Sequence, residues 1–248
     1  MRTHQIGSIQ DLIQALESDS DSYDGSVWFR GQAKSEWKLV PGYYRLNCPP
    51  PESTLVKKFK QSAAMLTNAS PKDSFDWLFL MQHYGVPTRL LDWTENPLVA
   101  LYFAVEECEH YPDTDAALWG IRPSELNKNA GISDSEEEYF IPSFEDEELT
   151  NYSVEILRQN SRNKLKPLAT IATRNNERIQ AQHGVFTIHH HDQIAIEDVG
   201  DSSHVSKYII PSHKKQNLLK QLSLLGFNRF QIFPELSSIG HVIKSTLK

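Results

Sequence analysis

Arg30 stands at the end of a short apolar segment, Val27 to Phe29, and is followed by Gly31 and Gln32. A strand here would hold the planar guanidinium rigidly, and the glycine would let a ligand approach the backbone. Such a donor fork binds phosphate or carboxylate groups. A structural ion pair at a strand end explains the arginine equally well, so both interpretations stay open at this point.

A second group of polar and aromatic residues lies between two apolar helical segments, in the stretch QHYGVPTRLLDWTENP that begins at Gln82. Connections between rigid elements often carry binding groups. Local structure explains part of this group, since Arg89 could pair with Asp92, and Thr94 or Asn96 could cap the next helix. Many side chains are left unexplained, and we expect a binding site drawn from His83, Tyr84, Thr88, Arg89, Asp92, Trp93, Thr94 and Asn96.

The third candidate is the stretch RIQAQHGVF, residues 178–186. On a strand, alternation would place Arg178, Gln180 and Gln182 on one face. A glutamine both donates and accepts hydrogen bonds, which suits a sugar hydroxyl or an amide, but it cannot act as a general base. Taken alone, this stretch is weak support for a site.

Three consecutive histidines, His189 to His191, raise the question of a metal site. Consecutive strand residues point to opposite faces, so only His189 and His191 would share one face. Two ligands without a third are too few for zinc, and we favour a solvated strand end with no metal. A metal-dependent nuclease using these histidines, Asp92 or His83 ranks last, because no carboxylate cluster with metal spacing is visible.

The net charge of −7, from 25 Lys and Arg against 32 Asp and Glu, excludes a uniformly basic nucleic-acid-coating protein but not a local basic groove. Cys48 and Cys108 form no C-x-x-C motif, which fits a reducing compartment. No apolar run is long enough to span a membrane, and the first residues lack the apolar core of a signal peptide. We therefore expect a cytoplasmic protein with no membrane partner.

Acidic residues are concentrated in residues 133–148, which hold eight acids and no base. The rest of the chain is consequently nearly neutral. We interpret this segment as a solvated loop or helix face rather than a partner-binding or autoinhibitory segment. It lies within residues 123–163, which are polar and interrupted by Pro123 and Pro142, and which we expect to be a variable excursion.

Hydrophobic periodicity predicts a mixed order of helices and short strands. The predicted helices begin near residues 8, 52, 73, 97, 212 and 235, and the predicted strands cover residues 27–30, 37–40, 116–121, 182–188, 205–210 and 230–233. Regular βα alternation is not seen, so we predict one α+β domain over residues 1–248. Its expected core contains Phe75, Leu78, Leu98, Ala100, Leu101, Phe103 and Leu118.

The segment Phe29-Arg30-Gly31-Gln32 and the longer stretch QHYGVPTRLLDWTENPLVALYFA resemble the signatures of the FRG domain family. Shorter pieces fit in the same order, including Ala117-Leu118-Trp119, Gly184 with Phe186, and Ile232-Phe233-Pro234. The resemblance extends over about residues 8–247. The long stretch is highly specific, whereas the short pieces mean little without it, and the acidic excursion has no counterpart.

The same pattern is similar, more distantly, to ADP-ribosyltransferases. In those enzymes an Arg or His followed by Gly lies on an early strand, a Ser/Thr motif leads into an apolar helix, and a glutamate lies on a late strand. Arg30, the Asp92-Trp93-Thr94 run and Gln182 would occupy these three places. The resemblance implies a split, curved β-sheet with flanking helices, a site in its central cleft, and NAD as the substrate.

On this resemblance, the catalytic set is Arg30, Asp92, Thr94 and Gln182. Arg30 would hold the diphosphate or a ribose of NAD, and Thr94 would bond the nicotinamide ribose. Tyr84 or Trp93 would stack on the nicotinamide. Gln182 stands where the transferases have glutamate, so Asp92 or Glu177 would supply the acid. Further NAD contacts would come from Gly31, Gln32, His83, Thr88, Arg89, Asn96 and Arg178.

Two functions follow from the sequence and stay open. The first is an ADP-ribosyltransferase-like toxin or anti-phage defence effector that modifies RNA, DNA or protein, with an antitoxin or chaperone as a partner. The second is a non-catalytic module that binds a nucleotide, an RNA end or a partner protein, because Gln182 cannot replace the charge of a glutamate.

Overall fold

The described part of the chain contains seven strands that form one open sheet. They are β1 (Arg2–Gln5), β2 (Trp28–Gln32), β3 (Leu90–Thr94), β4 (Ala116–Ile121), β5 (Leu168–Thr170), β6 (Gly184–Ile188) and β7 (Val205–Ile210), paired in the order β1-β7-β4-β2-β3-β6-β5. The computed structural model describes residues 1–20, 23–63, 65–66, 71–159, 164–172, 177–245 and 247. Within these ranges, no helix is both long and apolar enough to cross a membrane.

Helices flank the sheet, and several of them begin at a side-chain cap. They are α1 (Ile9–Ser20), α2 (Glu52–Ala63), α3 (Ser74–His83), α4 (Pro97–Val105), α5 (Pro123–Asn129), α6 (Val154–Gln159), α7 (Glu177–Ala181), α8 (Lys215–Leu224), α9 (Arg229–Ile232) and α10 (Leu236–Ser245). The side chains of Asp73, Asn96 and Asn228 accept hydrogen bonds from the first backbone N–H groups of α3, α4 and α9.

The sheet is mixed, because β1 pairs with β7 in parallel while the other pairs are antiparallel. The α+β class is therefore confirmed, but the sheet is single rather than split. Its two halves join between β2 and β3, where only Phe29 and Thr94 pair. Past that pair, the side chain of Arg30 makes the connection between the two strands.

Helix α4 packs directly on β2, and Gly31 makes this contact possible. A Cβ atom at Gly31 would lie 1.9 Å from the carbonyl oxygen of Ala100 and 2.5 Å from the backbone nitrogen of Ala104. The close approach of a helix thus explains this glycine. Of the expected core, Leu98 and Phe103 are half-buried, and the buried members are Phe75, Leu78, Ala100, Leu101 and Leu118.

Two predicted strands, 37–40 and 230–233, are wrong, and the strand alternation considered for residues 178–182 is not found. Residues 37–40 have no regular secondary structure, although Leu39 is buried and its backbone N–H donates to the Glu197 carboxylate. Residues 177–181 form α7, and residues 229–232 form α9. Both stretches are short, and residues four apart, such as Arg178 and Gln182, share a face on a strand and on a helix alike. The pattern alone therefore did not distinguish the two structures.

Residues 123–159 are more regular than an excursion would be. Helices α5 and α6, and a 3₁₀ helix at Glu147–Tyr152, bury Leu126, Leu149 and Leu157. The Asn127 side chain bonds both backbone groups of Ala169, which fixes α5 to β5. The acidic side chains at 134–138 and 145–147 are exposed, as expected of a solvated segment. Residues 160–163 lie outside the described ranges.

Candidate functional site

A cavity of 480 Å³ lies beside the β2–β3 junction and is covered by α3, α4 and α7. Many of the sequence-predicted residues line it, and the structure therefore brings together three separate parts of the chain. These residues are Arg30, Gly31, His83, Asp92, Trp93, Thr94, Arg178 and Gln182.

Arg30 bridges the gap between β2 and β3. Its Nη1 donates to the backbone carbonyl of Asp92 at 2.5 Å, while its Nε is buried and has no partner among the described residues. Burial lowers the pKa of the guanidinium, and the nearby Asp92 carboxylate opposes that shift. The arginine stays charged in a protein, so the cavity wall holds a fixed, incompletely satisfied cation.

Asp92 and Thr94 come from the same strand and point to the same side of the sheet. The Asp92 side chain is exposed. Thr94 is buried, and its Oγ1 accepts a hydrogen bond from the backbone N–H of Asn96 at 3.0 Å. The Asn96 side chain accepts a hydrogen bond from the backbone N–H of Leu98 and so caps α4, which is the local role considered for it from the sequence. Asn96 is therefore a structural residue, whereas Thr94 combines a structural role with a place in the cavity.

Helix α7 and the residue that follows it supply the opposite wall, through Arg178 and Gln182 respectively. Nη1 of Arg178 donates to the His83 carbonyl at 3.5 Å, and the guanidinium lies 4.8 Å from the ring centre of Phe233. Nε2 of Gln182 donates to the carbonyl of Ile232 at 3.1 Å. The amide oxygen of Gln182 accepts no hydrogen bond from any described residue, which leaves it available at the cavity.

His83 lines the cavity, whereas Trp93 and Tyr84 are not placed to stack on a ligand as the sequence predicted. Burial, reinforced by Arg178, lowers the pKa of His83, so its ring is neutral at neutral pH. The indole of Trp93 is buried in the core and donates to Thr187 Oγ1 at 3.0 Å, so it is not free to stack on a ligand. Tyr84 is 66% exposed and lies outside the cavity lining.

Arg89 lies away from the cavity and has a structural role. It is fully buried, and its Nε donates to the Glu52 carboxylate at 2.6 Å. Further bonds reach the carbonyls of His189 and Tyr152. The Arg89–Asp92 pair considered from the sequence does not form, because the arginine points into the core and joins α2, β3 and the 3₁₀ helix.

Gln32 and Thr88 are also buried outside the cavity lining. Gln32 accepts a hydrogen bond from the indole N–H of Trp119 at 2.8 Å, which holds β2 against β4. The Thr88 hydroxyl donates to the side chain of Gln82. These two residues support the strands that carry the site and do not reach the cavity themselves.

Sequence reasoning missed several groups in or near the cavity. The rings of Phe79, Phe103 and Phe186 form apolar walls. Phe103 was predicted only as core, and Phe79 follows Phe75 at helical spacing.

Glu106, one turn beyond Phe103, lies 3.8 Å from Arg229, and burial raises its pKa to about 7. No local motif marks Glu106, because its burial comes from distant segments.

The histidines after β6 are not a solvated strand end. His189 and His190 are fully buried, and burial lowers the pKa of His189 to about 3. Nε2 of His189 bonds the Ile194 carbonyl, and Nε2 of His191 bonds that of Leu157. Among the described residues, no three His, Cys, Asp or Glu side chains are placed to hold a metal ion.

Comparison with known families identifies one segment of the chain. Residues 25–113 match the FRG domain. The FRG match covers β2 through α4, and thus the elements that present Arg30, Asp92 and Thr94. It ends before Arg178 and Gln182, so the second wall of the cavity lies outside the matched segment. No curated protein and no solved structure matches the chain in the other two comparisons.

Proposed function

We propose that the cavity binds NAD and that the protein transfers the ADP-ribose group to a macromolecule. The observation that supports this most directly is the buried Nε of Arg30, which has no partner among the described residues. A buried donor without an acceptor is costly. A phosphate oxygen of NAD would satisfy it with a charge-assisted hydrogen bond.

The remaining surfaces of the cavity suit the other parts of NAD. Arg178 adds a second cation, and Phe79, Phe103 and Phe186 offer apolar faces for the nicotinamide or adenine ring. The volume of 480 Å³ is within the range of about 300–1,000 Å³ usual for small-molecule sites. In this proposal the phenylalanines take the stacking role that the sequence had given to Tyr84 and Trp93.

The transfer breaks the bond between the nicotinamide nitrogen and C1′ of the ribose, and nicotinamide leaves with the bonding electrons. A nucleophile of the acceptor forms the new bond at C1′ and passes its proton to the Asp92 carboxylate. The same carboxylate stabilises the positive charge that develops on the sugar. Thr94 and the amide oxygen of Gln182 hold the ribose hydroxyl groups.

A second function, non-catalytic binding of a nucleotide or an RNA end, is favoured by one observation. On the resemblance to the transferases, Gln182 would take the place of their glutamate, and in the structure its amide nitrogen donates to the Ile232 carbonyl. This side chain provides no negative charge to the reacting sugar. Arg30 and the phenylalanine walls would then hold a phosphate and a base without cleavage.

Incubation with NAD labelled in its adenylate phosphate, in separate reactions with RNA, DNA and protein extract, distinguishes the two functions. Transfer predicts label in one acceptor class for the wild-type protein, and none for Arg30→Ala. Arg45→Ala, which removes an exposed arginine near Arg30, is the matched control and should label normally. If calorimetry shows that NAD binds but no acceptor becomes labelled, the result would support the binding module. If the wild type does not bind NAD, NAD is neither the substrate nor the bound ligand.

The proposal includes a role as a toxin or anti-phage effector, with an antitoxin or chaperone as a partner, because modification of a host macromolecule would stop growth. Induced expression of the wild-type chain should then reduce colony formation, and Arg30→Ala should restore it. Equal growth with both chains would count against the toxin role, whatever the result of the labelling experiment.

A further inference from the structure

Helix α10 carries its apolar residues on an exposed face. Leu236, Ile239 and Ile243 follow helical spacing, and they are 86%, 38% and 57% exposed. A surface helix normally turns such a stripe toward the core. Leu247, just beyond the helix, continues the stripe and is also exposed. Because α9, which packs against α10, adds the exposed ring of Phe230, the apolar surface is larger than one helix face.

We propose that a second copy of this chain covers this face, with the two α10 helices packed antiparallel about a two-fold axis. Gly240 lies at the middle of the stripe, and a Cβ atom there would meet no atom within 4 Å. A glycine at the crossing point lets two helices approach closely. A lipid surface gains nothing from such a close approach, so the glycine favours contact with another helix.

The charges at the two ends of α10 fit the same arrangement. Glu235 is exposed immediately before the helix, and Lys244 is exposed in its last turn. Antiparallel packing brings the basic end of one helix beside the acidic end of the other and opposes the two helix dipoles. Parallel packing would place like charges together. A two-fold contact of this kind uses the same surface on both copies and closes at a dimer.

Sedimentation equilibrium of the full chain over micromolar concentrations tests the proposal. The wild type should form a dimer, and Ile243→Glu should weaken association at least about 100-fold, because it places a charge in the apolar contact. Gly240→Leu should fold, since it meets no neighbouring atom, yet it should also weaken the dimer about tenfold or more. Met65→Glu, which changes an exposed apolar residue elsewhere, is the control and should dimerise normally.

Three outcomes would overturn this inference. One is a wild-type chain that stays monomeric throughout the concentration range. Another is a dimer that Gly240→Leu strengthens, which would mean that the glycine is not at a close crossing. Co-sedimentation of monomers with vesicles of anionic phospholipid, lost in Ile243→Glu, would reassign the face to a membrane surface and also refute the dimer.

Discussion

The guanidinium of Arg30 donates to the backbone carbonyl of Asp92 at 2.5 Å and not to the Asp92 carboxylate. This hydrogen bond holds β2 and β3 together beyond the Phe29–Thr94 pair, where the two strands make no further ladder pair. The carboxylate, exposed at the cavity, has no hydrogen bond or ion pair with any of the described residues. Because this carboxylate is unpaired and exposed at the cavity, an incoming group can contact it directly.

Asp92→Asn should therefore separate binding from chemistry. We expect the affinity for NAD to change less than about threefold, and the rate of label transfer to fall by about 100-fold or more, as for the loss of a general base. Calorimetry and initial rates measure the two quantities. Glu95→Gln, an exposed acid on the same connection, is the control. A full rate in Asp92→Asn would remove Asp92 from the mechanism.

Gly31→Ala should destabilise the fold even without ligand. The added methyl group would overlap the backbone of α4, and we expect a loss of at least about 3 kcal/mol in the free energy of unfolding. Gly120→Ala is a matched control on the neighbouring strand, because its nearest contact would be a side-chain atom at 3.5 Å. Urea denaturation measures both. Equal stability of the two variants would contradict the close approach of α4.

The buried Glu52–Arg89 pair should show strong coupling. Glu52→Leu leaves a buried cation without its partner and should cost about 3–5 kcal/mol. The double variant Glu52→Leu/Arg89→Met should cost less than Glu52→Leu alone, since no charge remains. Because neither residue lines the cavity, the folded double variant should bind NAD normally. If the double variant is as stable as the wild type but does not bind NAD, Arg89 belongs to the binding site.

Glu106 should make stability depend on pH. Burial raises its pKa from 4.5 to about 7, although Arg229 and Arg178 oppose the shift. Between these values the folded chain holds a proton that the unfolded chain has lost, so stability should fall as pH rises from about 4.5 to about 7, by up to about 3 kcal/mol. Denaturation below and above this window measures the change.

Glu106→Gln should flatten that pH dependence by removing the titrating group. Glu109→Gln, an exposed acid one turn away, should leave the dependence as in the wild type. Identical pH profiles for the wild type and Glu106→Gln would show that other groups control stability in this window.

The first wall of the site could be predicted because local sequence patterns mark its residues. Asp92 and Thr94 alternate on one strand next to an apolar helix, and Arg30 follows two apolar residues on another strand. The role of Arg89 could not be predicted, since Glu52 and His189 come from distant segments. Its charge made it resemble a ligand-binding group, whereas its surroundings make it a core residue.

The elements that sequence missed are those with little periodic signal. Strand β1 is polar and mostly exposed, as an edge strand is, so no buried alternation marks it. Helix α7 is a single short turn held by tertiary contacts of Arg178 and of Gln182, the residue that follows the helix. The strands at Ala116–Ile121 and Val205–Ile210 were predicted with the correct bounds, because they are apolar and bounded by turn residues.

The parallel pairing of β1 with β7 also constrains when the sheet can be completed. Arg2 pairs with Ser206, about 200 positions later in the chain. A polypeptide leaves the ribosome from its N-terminus, so β1 emerges long before the strand that it needs. During synthesis this edge stays open, and the nascent FRG segment has neither β7 nor β6 beside it. The order in which the strands are made is therefore not the order in which the sheet closes.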